Sequence, residues 1–299
     1  MSDDKKLGLN KTYREFFSGF TNLTEIQKLV IPVVLKGENA LIISPTASGK
    51  TESVVAPICE ILLSSGEPLN GVLKAIYIVP TIALAGDLIK RLGIKMQRLG
   101  ISLGGRTSND SSFNPNKPQN FLFTTPESAD SLLCRHSKVL KNIKFIVVDE
   151  LHFLDNTYRG DQLMVLLNRL RRNLSKPEVG IYCMSATINN PDGLVSRYMK
   201  SAEICRSSEI RDVTYLPIDT RKYANYWANF RAYCDKKILG KKKKFLVFCN
   251  TKKDVIQTVE ILKKIYPELN NRIREHHASL SKTDRKDVEK MLRDDLFSI

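Results

Sequence analysis

Short, almost uninterrupted apolar runs recur along this chain, separated by longer stretches in which apolar residues return every three or four positions. Leu41–Ser44, Ala75–Val79, Phe121–Thr124, Phe145–Val148 and Gly180–Met184 read as strands. They lack polar alternation, as expected of strands buried on both faces of a parallel sheet. The stretches between them carry helical periodicity. Leu163, Leu166, Leu167 and Leu170 fall at i, i+3, i+4 and i+7 between charged neighbours, which predicts one apolar helix face. Strand and helix alternating in this way predict a doubly wound α/β domain over residues 1–205, with ligands at the carboxyl ends of its strands.

Polarity rises at Arg206-Ser207-Ser208-Glu209, and a second domain is predicted over 206–299. Its expected elements are a strand at Val213–Leu216, a helix carrying Tyr223, Tyr226, Trp227, Phe230 and Tyr233 on one stripe, and a strand at Phe245–Phe248. A helix with Val255, Ile256, Val259 and Leu262 and a last helix near Lys282–Arg293 follow. The aromatic stripe suits base stacking, although at helical spacing such a stripe more commonly packs. These strands are too few for a second sheet like the first, so the expectation is a partial domain.

Composition narrows the class. A length of 299 residues suits about two domains, and no run of some 18 apolar residues offers a membrane span. The N-terminal Met1-Ser2-Asp3-Asp4-Lys5-Lys6 leads into no apolar signal region. The six cysteines form no C-x-x-C pair, which fits a reducing cytoplasm better than a disulfide framework or a zinc site. The formal charge of +15 favours polyanionic partners, nucleic acid first, through counterion release. Lys241–Lys244 reads as a solvated turn before a strand more readily than as a phosphate contact.

The chemistry concentrates in two places. Leu41–Ile43 runs into Ser44-Pro45-Thr46-Ala47-Ser48-Gly49-Lys50-Thr51, a small-residue loop that opens a helix. Such a loop lets backbone N–H groups curl around a polyphosphate at a helix N-terminus. Lys50 would reach the β- and γ-phosphates of ATP, and the Thr51 hydroxyl would ligate Mg²⁺. The run Phe145–Val148 delivers Asp149 and Glu150 at its end. Asp149 would hold the same ion, with Glu150 orienting or deprotonating the attacking water. Ser44 replaces the first glycine of the usual G-x-x-x-x-G-K-[ST] pattern.

Read in order, these and further motifs resemble the superfamily 2 DEAD/DEAH-type helicases, most of all the large helicase-related (Lhr-type) branch, with Ski-type helicases next. Gly19-Phe20 with Thr24-Glu25-Ile26-Gln27 resembles the Q-motif, Pro45–Thr51 motif I, Pro80-Thr81 with Ala83-Leu84 motif Ia, and Gly104-Gly105-Arg106-Thr107 the glycine pair. Thr125-Pro126-Glu127-Ser128 resembles motif Ib, Asp149-Glu150-Leu151-His152 motif II, Ser185-Ala186-Thr187 motif III, and Phe248-Cys249-Asn250-Thr251 motif IV. Arg159-Gly160 with Gln162-Leu163 follows motif II as in that branch, and His276–Ser281 with Arg285 matches a later element.

The resemblance implies a RecA-like fold and an ATP-dependent helicase or translocase that moves along or unwinds nucleic acid, with DNA slightly favoured over RNA. It implies adenine recognition by Gln27 with packing by Phe20. It further implies backbone contacts to a single strand at Pro80, Thr81, Gly105, Arg106, Thr125, Pro126, Glu127, Asn250 and Thr251. Ser185 and Thr187 are implied to couple hydrolysis to strand movement through motif II and His152.

Three departures from the family pattern stand out. Ala47 occupies a position where the branch usually has glycine, and Leu23 one often held by proline. Motifs V and VI, with the arginines that complete the ATP site, would lie beyond Ile299. The resemblance therefore leaves open a truncated helicase, one part of a split helicase whose partner polypeptide supplies the remaining motifs, and a degenerate protein. An ATP-switched nucleic-acid-binding module without translocation, and an interaction protein that has lost the chemistry, also compete.

Overall fold

The computed structural model describes residues 7–175, 178–186, 188–207 and 246–293. The chain divides into two compact units, residues 1–212 and 213–299.

All five expected strands form in the first unit, within a residue at each end. They are β1 (Ala40–Ile43), β2 (Ala75–Ile78), β4 (Phe121–Thr124), β5 (Phe145–Val148) and β6 (Gly180–Ser185). Two more, β3 (Leu103–Arg106) and β7 (Glu203–Arg206), complete a seven-stranded sheet in the order β3-β4-β2-β5-β6-β1-β7, with every pair parallel. Strand β7 runs across position 205/206.

Both faces of the sheet are covered, which is why its strands read as continuous apolar runs. Ile42, Tyr77, Phe123, Val147 and Tyr182 point into one core with residues of α2 (Glu25–Leu35), α3 (Lys50–Ser64) and α4 (Ile82–Arg98). Leu41, Ile76, Leu122, Ile146 and Cys183 point into the other, against α5 (Pro126–His136) and α6 (Tyr158–Asn173). The four periodic leucines of α6 are fully buried or nearly so. Thr157 caps that helix by accepting a hydrogen bond from the Gly160 N–H.

Four adjacent strands, β2-β5-β6-β1, bring Tyr77, Asp149, Ser185 and Ser44 to the sheet's carboxyl edge side by side. Motifs a hundred residues apart in sequence become neighbours through this strand order alone.

In the second unit, Lys252–Ile265 and Lys282–Arg293 are helical, as the sequence predicts. Leu246–Phe248 depart from the expected strand. They carry no strand assignment, and Phe248 is 91 % exposed. An apolar run becomes a strand only by pairing, and among the described residues of this unit there is no strand to pair with. The expected strand at Val213–Leu216, the aromatic stripe of Tyr223–Tyr233, Lys241–Lys244 and Phe245 lie outside the described residues, as does Thr187. Among the described residues, no helix is long and apolar enough to cross a membrane.

Candidate active site

The loop after β1 is shaped by two residues in the left-handed backbone region. Gly49, the N-cap of α3, has φ +92°, and a Cβ there would lie 2.2 Å from Gln27 Nε2. Glycine alone satisfies both constraints. Ala47 has φ +56°, so the alanine found in place of the branch's glycine sits in a conformation that glycine adopts more easily.

Lys50 is buried at the first position of α3. Its Nζ donates to the Ser44 carbonyl at 2.5 Å and the Pro45 carbonyl at 2.8 Å. Burial lowers its pKa, while the charges of Glu150 and Asp149 oppose that shift. The ammonium is thus folded over the loop's own carbonyls. Ser44 hydrogen-bonds Ser48 through their hydroxyls at 2.5 Å.

The Q-motif residues brace this loop from outside. Thr24 and Gln27 form a capping box at the start of α2, with the Thr24 N–H donating to Gln27 Oε1 at 3.0 Å. The Thr24 hydroxyl donates to the Ser48 carbonyl at 2.9 Å, and Gln27 Nε2 reaches the Gly49 carbonyl at 3.5 Å. Gln27 is buried, whereas Phe20 stands 65 % exposed.

Beyond β5, Asp149 is buried and both of its oxygens are engaged. Oδ2 accepts from the Tyr77 hydroxyl at 2.7 Å, and Oδ1 accepts from the Glu150 N–H at 2.8 Å. Burial pushes its pKa up to about 6; the Tyr77 hydrogen bond pulls the other way. Glu150 has φ +48°, an uncommon conformation for a residue with a Cβ. Its Oε2 is buried without a hydrogen-bond partner among the described residues, 3.5 Å from His152 Nδ1. A strained backbone and an unsatisfied buried acceptor are uncommon at positions that only pack.

Motif III closes the arrangement. The Ser44 N–H donates to the Ser185 carbonyl at 3.1 Å, which joins the phosphate loop to the end of β6. The Ala186 N–H donates to His152 Nδ1 at 3.4 Å, and Ser185 Oγ lies 3.2 Å from the same nitrogen. A backbone N–H can only donate, so Nδ1 accepts, and a neutral His152 carries its proton on Nε2.

The residues expected to touch nucleic acid fall into two groups. Thr81, Glu127, Asn250 and Thr251 are exposed and Arg106 is half-buried. Pro80, Gly105, Thr125 and Pro126 are buried, so they shape the loops instead of presenting side chains. The Gly105 N–H donates to Ser112 Oγ at 2.8 Å, and Thr124 Oγ1 donates to the Arg106 carbonyl at 2.7 Å. Arg159 grips Glu127 with two hydrogen bonds, of 2.6 and 3.3 Å, tying α6 to motif Ib. In the second unit, Thr251 and Asp254 form the capping box of the helix at Lys252–Ile265.

Residues 24–194 match the DEAD/DEAH box helicase family. The chain belongs to that family. Among helicases it is 32 % identical, over 94 % of its length, to the ATP-dependent helicase Lhr-Core protein 2 of Thermococcus barophilus. That alignment covers 36 % of the relative, so the chain spans about a third of its length. The helicase Lhr of Mycobacterium smegmatis, solved bound to ssDNA and AMP-PNP, matches 97 % of this chain and 40 % of its own with a TM-score of 0.78 and 24 % identity. The DEAD-box helicase Mss116, solved bound to ssRNA and UDP-BeF, matches 97 % of this chain and 63 % of its own with a TM-score of 0.78 and 19 % identity. These structural likenesses show the RecA-like fold.

One residue of this candidate site escapes a reading of the sequence. Tyr77 lies inside an apolar strand and reads as core. Its one signal is a phenol in a run with no other polar group, since a buried hydroxyl needs a partner.

Proposed function

We propose that this chain is the ATP-hydrolysing motor segment of a nucleic-acid helicase of the Lhr type, with DNA its preferred strand. Residues 1–212 form the ATP-binding domain in this reading, and the unit from 213 onward is part of the second RecA-like domain. The observation that carries it is the convergence of Lys50, Thr51, Asp149, Glu150 and Ser185 at the carboxyl ends of adjacent strands, with motifs I and III hydrogen-bonded to each other.

The donor set fits Mg-ATP. Thr51 and Asp149 offer the hard oxygen donors that Mg²⁺ takes alongside phosphate oxygens. When bound, Mg²⁺ supplies charge neutralisation to the β- and γ-phosphates. Lys50 exchanges its two carbonyl partners for phosphate oxygens, a charge-assisted interaction stronger than either it leaves. Glu150, whose Oε2 lacks a hydrogen-bond partner among the described residues, orients a water and accepts its proton. Gln27 reads the adenine beside Phe20. His152 of motif II meets motif III through its Nδ1, beside the Ser185 hydroxyl and the Ala186 N–H, the route by which hydrolysis is felt in motif III.

Nucleic acid is held by loop N–H groups, by the exposed Thr81 and Glu127 and the half-buried Arg106 of the first unit, and by Asn250 and Thr251 of the second. Contacts of this kind grip the backbone without reading bases. The net charge of +15 adds a salt-sensitive, sequence-independent attraction. The reading is tested by ATP turnover with and without single-stranded DNA or RNA of equal length, at low and high salt. Stimulation by the strand that fades with salt is expected, larger for DNA. ATP turnover indifferent to either strand would make the chain an ATPase uncoupled from nucleic acid and overturn the reading.

A further inference from the structure

Tyr77 is fully buried on β2, with its ring stacked on Phe123 at 5.0 Å between centroids. Its hydroxyl donates to Asp149 Oδ2 at 2.7 Å. Asp149 follows the end of β5 and is one of the two side chains read above as holding Mg²⁺. We propose that Tyr77 is a positioning residue for the metal-nucleotide site, its hydroxyl fixing the Asp149 carboxylate before the metal arrives. This inference rests on the reading of Asp149 as a metal-holding residue.

Geometry supports more than simple satisfaction of a buried hydroxyl. Asp149 has one oxygen on Tyr77 and the other on the Glu150 N–H, so rotation about its last torsion is locked. Each carboxylate oxygen keeps a further lone pair. The locked carboxylate therefore presents those lone pairs in one fixed direction. Outer partners that orient ligating carboxylates typically change metal affinity 10- to 100-fold when removed. Phe123 and the rest of the core hold the ring itself, so Tyr77→Phe removes the hydroxyl and leaves the packing.

The test is binding of a fluorescent ATP analogue at fixed protein, titrated with Mg²⁺, in wild type and Tyr77→Phe. The variant should match wild type in thermal melting and in metal-free nucleotide affinity in EDTA. It should need about tenfold more Mg²⁺ for half-maximal enhancement of binding. Equal Mg²⁺ midpoints in the two proteins overturn the proposal. A loss confined to metal-free affinity also overturns it, because that is the mark of a packing role. If wild type itself binds nucleotide no better with Mg²⁺, it is the ATP-site reading that fails. Should Tyr77→Phe not fold, 3-fluorotyrosine placed at position 77 keeps the hydroxyl. Its fluorine resonance should then move when Mg²⁺ is added to nucleotide-saturated protein, and an unmoved resonance overturns the proposal.

Discussion

The Ser44 N–H donates to the Ser185 carbonyl across 3.1 Å, so the first residue of the phosphate loop hangs from the last residue of β6. Ile43 and Ser185 are register partners, and the bond continues the β1–β6 ladder one step beyond β1. In the proposed motor, a movement of the loop on nucleotide entry would reach Ser185 through this bond and His152 through the Ser185 hydroxyl, 3.2 Å from Nδ1.

Removing His152 should separate binding from coupling. In His152→Ala the Ala186 N–H and the Ser185 hydroxyl lose their shared acceptor, while no atom of the phosphate loop is touched. Nucleotide affinity should stay within about twofold. Nucleic-acid stimulation of ATP turnover should fall about tenfold, in line with coupling energies on the order of 1 kcal/mol for such contacts. Stimulation unchanged in His152→Ala would show that motif II and motif III communicate by another route.

Two small residues of the loop should respond in opposite ways. Ala47→Gly relieves a left-handed alanine, offset in part by the greater freedom of glycine in the unfolded chain. A net gain on the order of 0.5 kcal/mol is expected in chemical denaturation. Gly49→Ala places a Cβ 2.2 Å from Gln27 Nε2 at φ +92°. It should melt earlier and lose measurable binding of a fluorescent ATP analogue. Normal binding by Gly49→Ala would mean that the loop opens freely away from α2.

Asp149 gives a pH dependence with a definite sign. Its pKa rises from an ordinary 3.8 to about 6 because burial disfavours the charged form. Well below pH 3.8 the group is protonated in folded and unfolded chains alike and costs nothing. As pH rises from about 4 through 6, ionisation favours the unfolded chain, and the native state loses roughly 3 kcal/mol. Lys50, Glu150 and Tyr77 are the charged or titratable groups around it. Asp149→Asn keeps an oxygen for the Tyr77 hydroxyl and removes the charge, but its amide nitrogen cannot accept from the Glu150 N–H, a cost that does not change with pH. In EDTA, without nucleotide, its melting temperature relative to wild type should be higher at pH 7.5 than at pH 4. A gap independent of pH would refute this account of the carboxylate.

The central strands were legible in the sequence because burial on both faces leaves only apolar residues in them. The two strands that were not legible lie at the ends of the sheet. β3, Leu103–Arg106, contains Gly104 and Gly105, which have low strand propensity. β7, Glu203–Arg206, exposes three of its four residues and so has no apolar run to read. Of the expected strand at Phe245–Phe248, the described residues 246–248 carry no strand assignment for the converse reason. Apolar character alone does not supply a partner, and the described residues of the second unit include no other strand.

At the candidate site, the meeting of Lys50, Thr51, Asp149 and Glu150 at one edge of the sheet was legible because both motifs follow the carboxyl ends of buried strands. The burial of Pro80, Gly105, Thr125 and Pro126 was not, since a motif match carries no information about which atoms face solvent. Tyr77 was hidden because its partner, Asp149, comes from elsewhere in the chain and meets it only through the strand order.

The account stands most directly on Glu150, whose carboxylate is assigned the water's proton. The measurement is phosphate release from Mg-ATP, with nucleotide affinity determined in parallel, for wild type and Glu150→Gln. The amide keeps the size of the side chain but cannot accept that proton. The account predicts affinity within about twofold of wild type and phosphate release reduced about 10²- to 10⁴-fold, the range of general base catalysis. Glu150→Gln releasing phosphate as fast as wild type would contradict it.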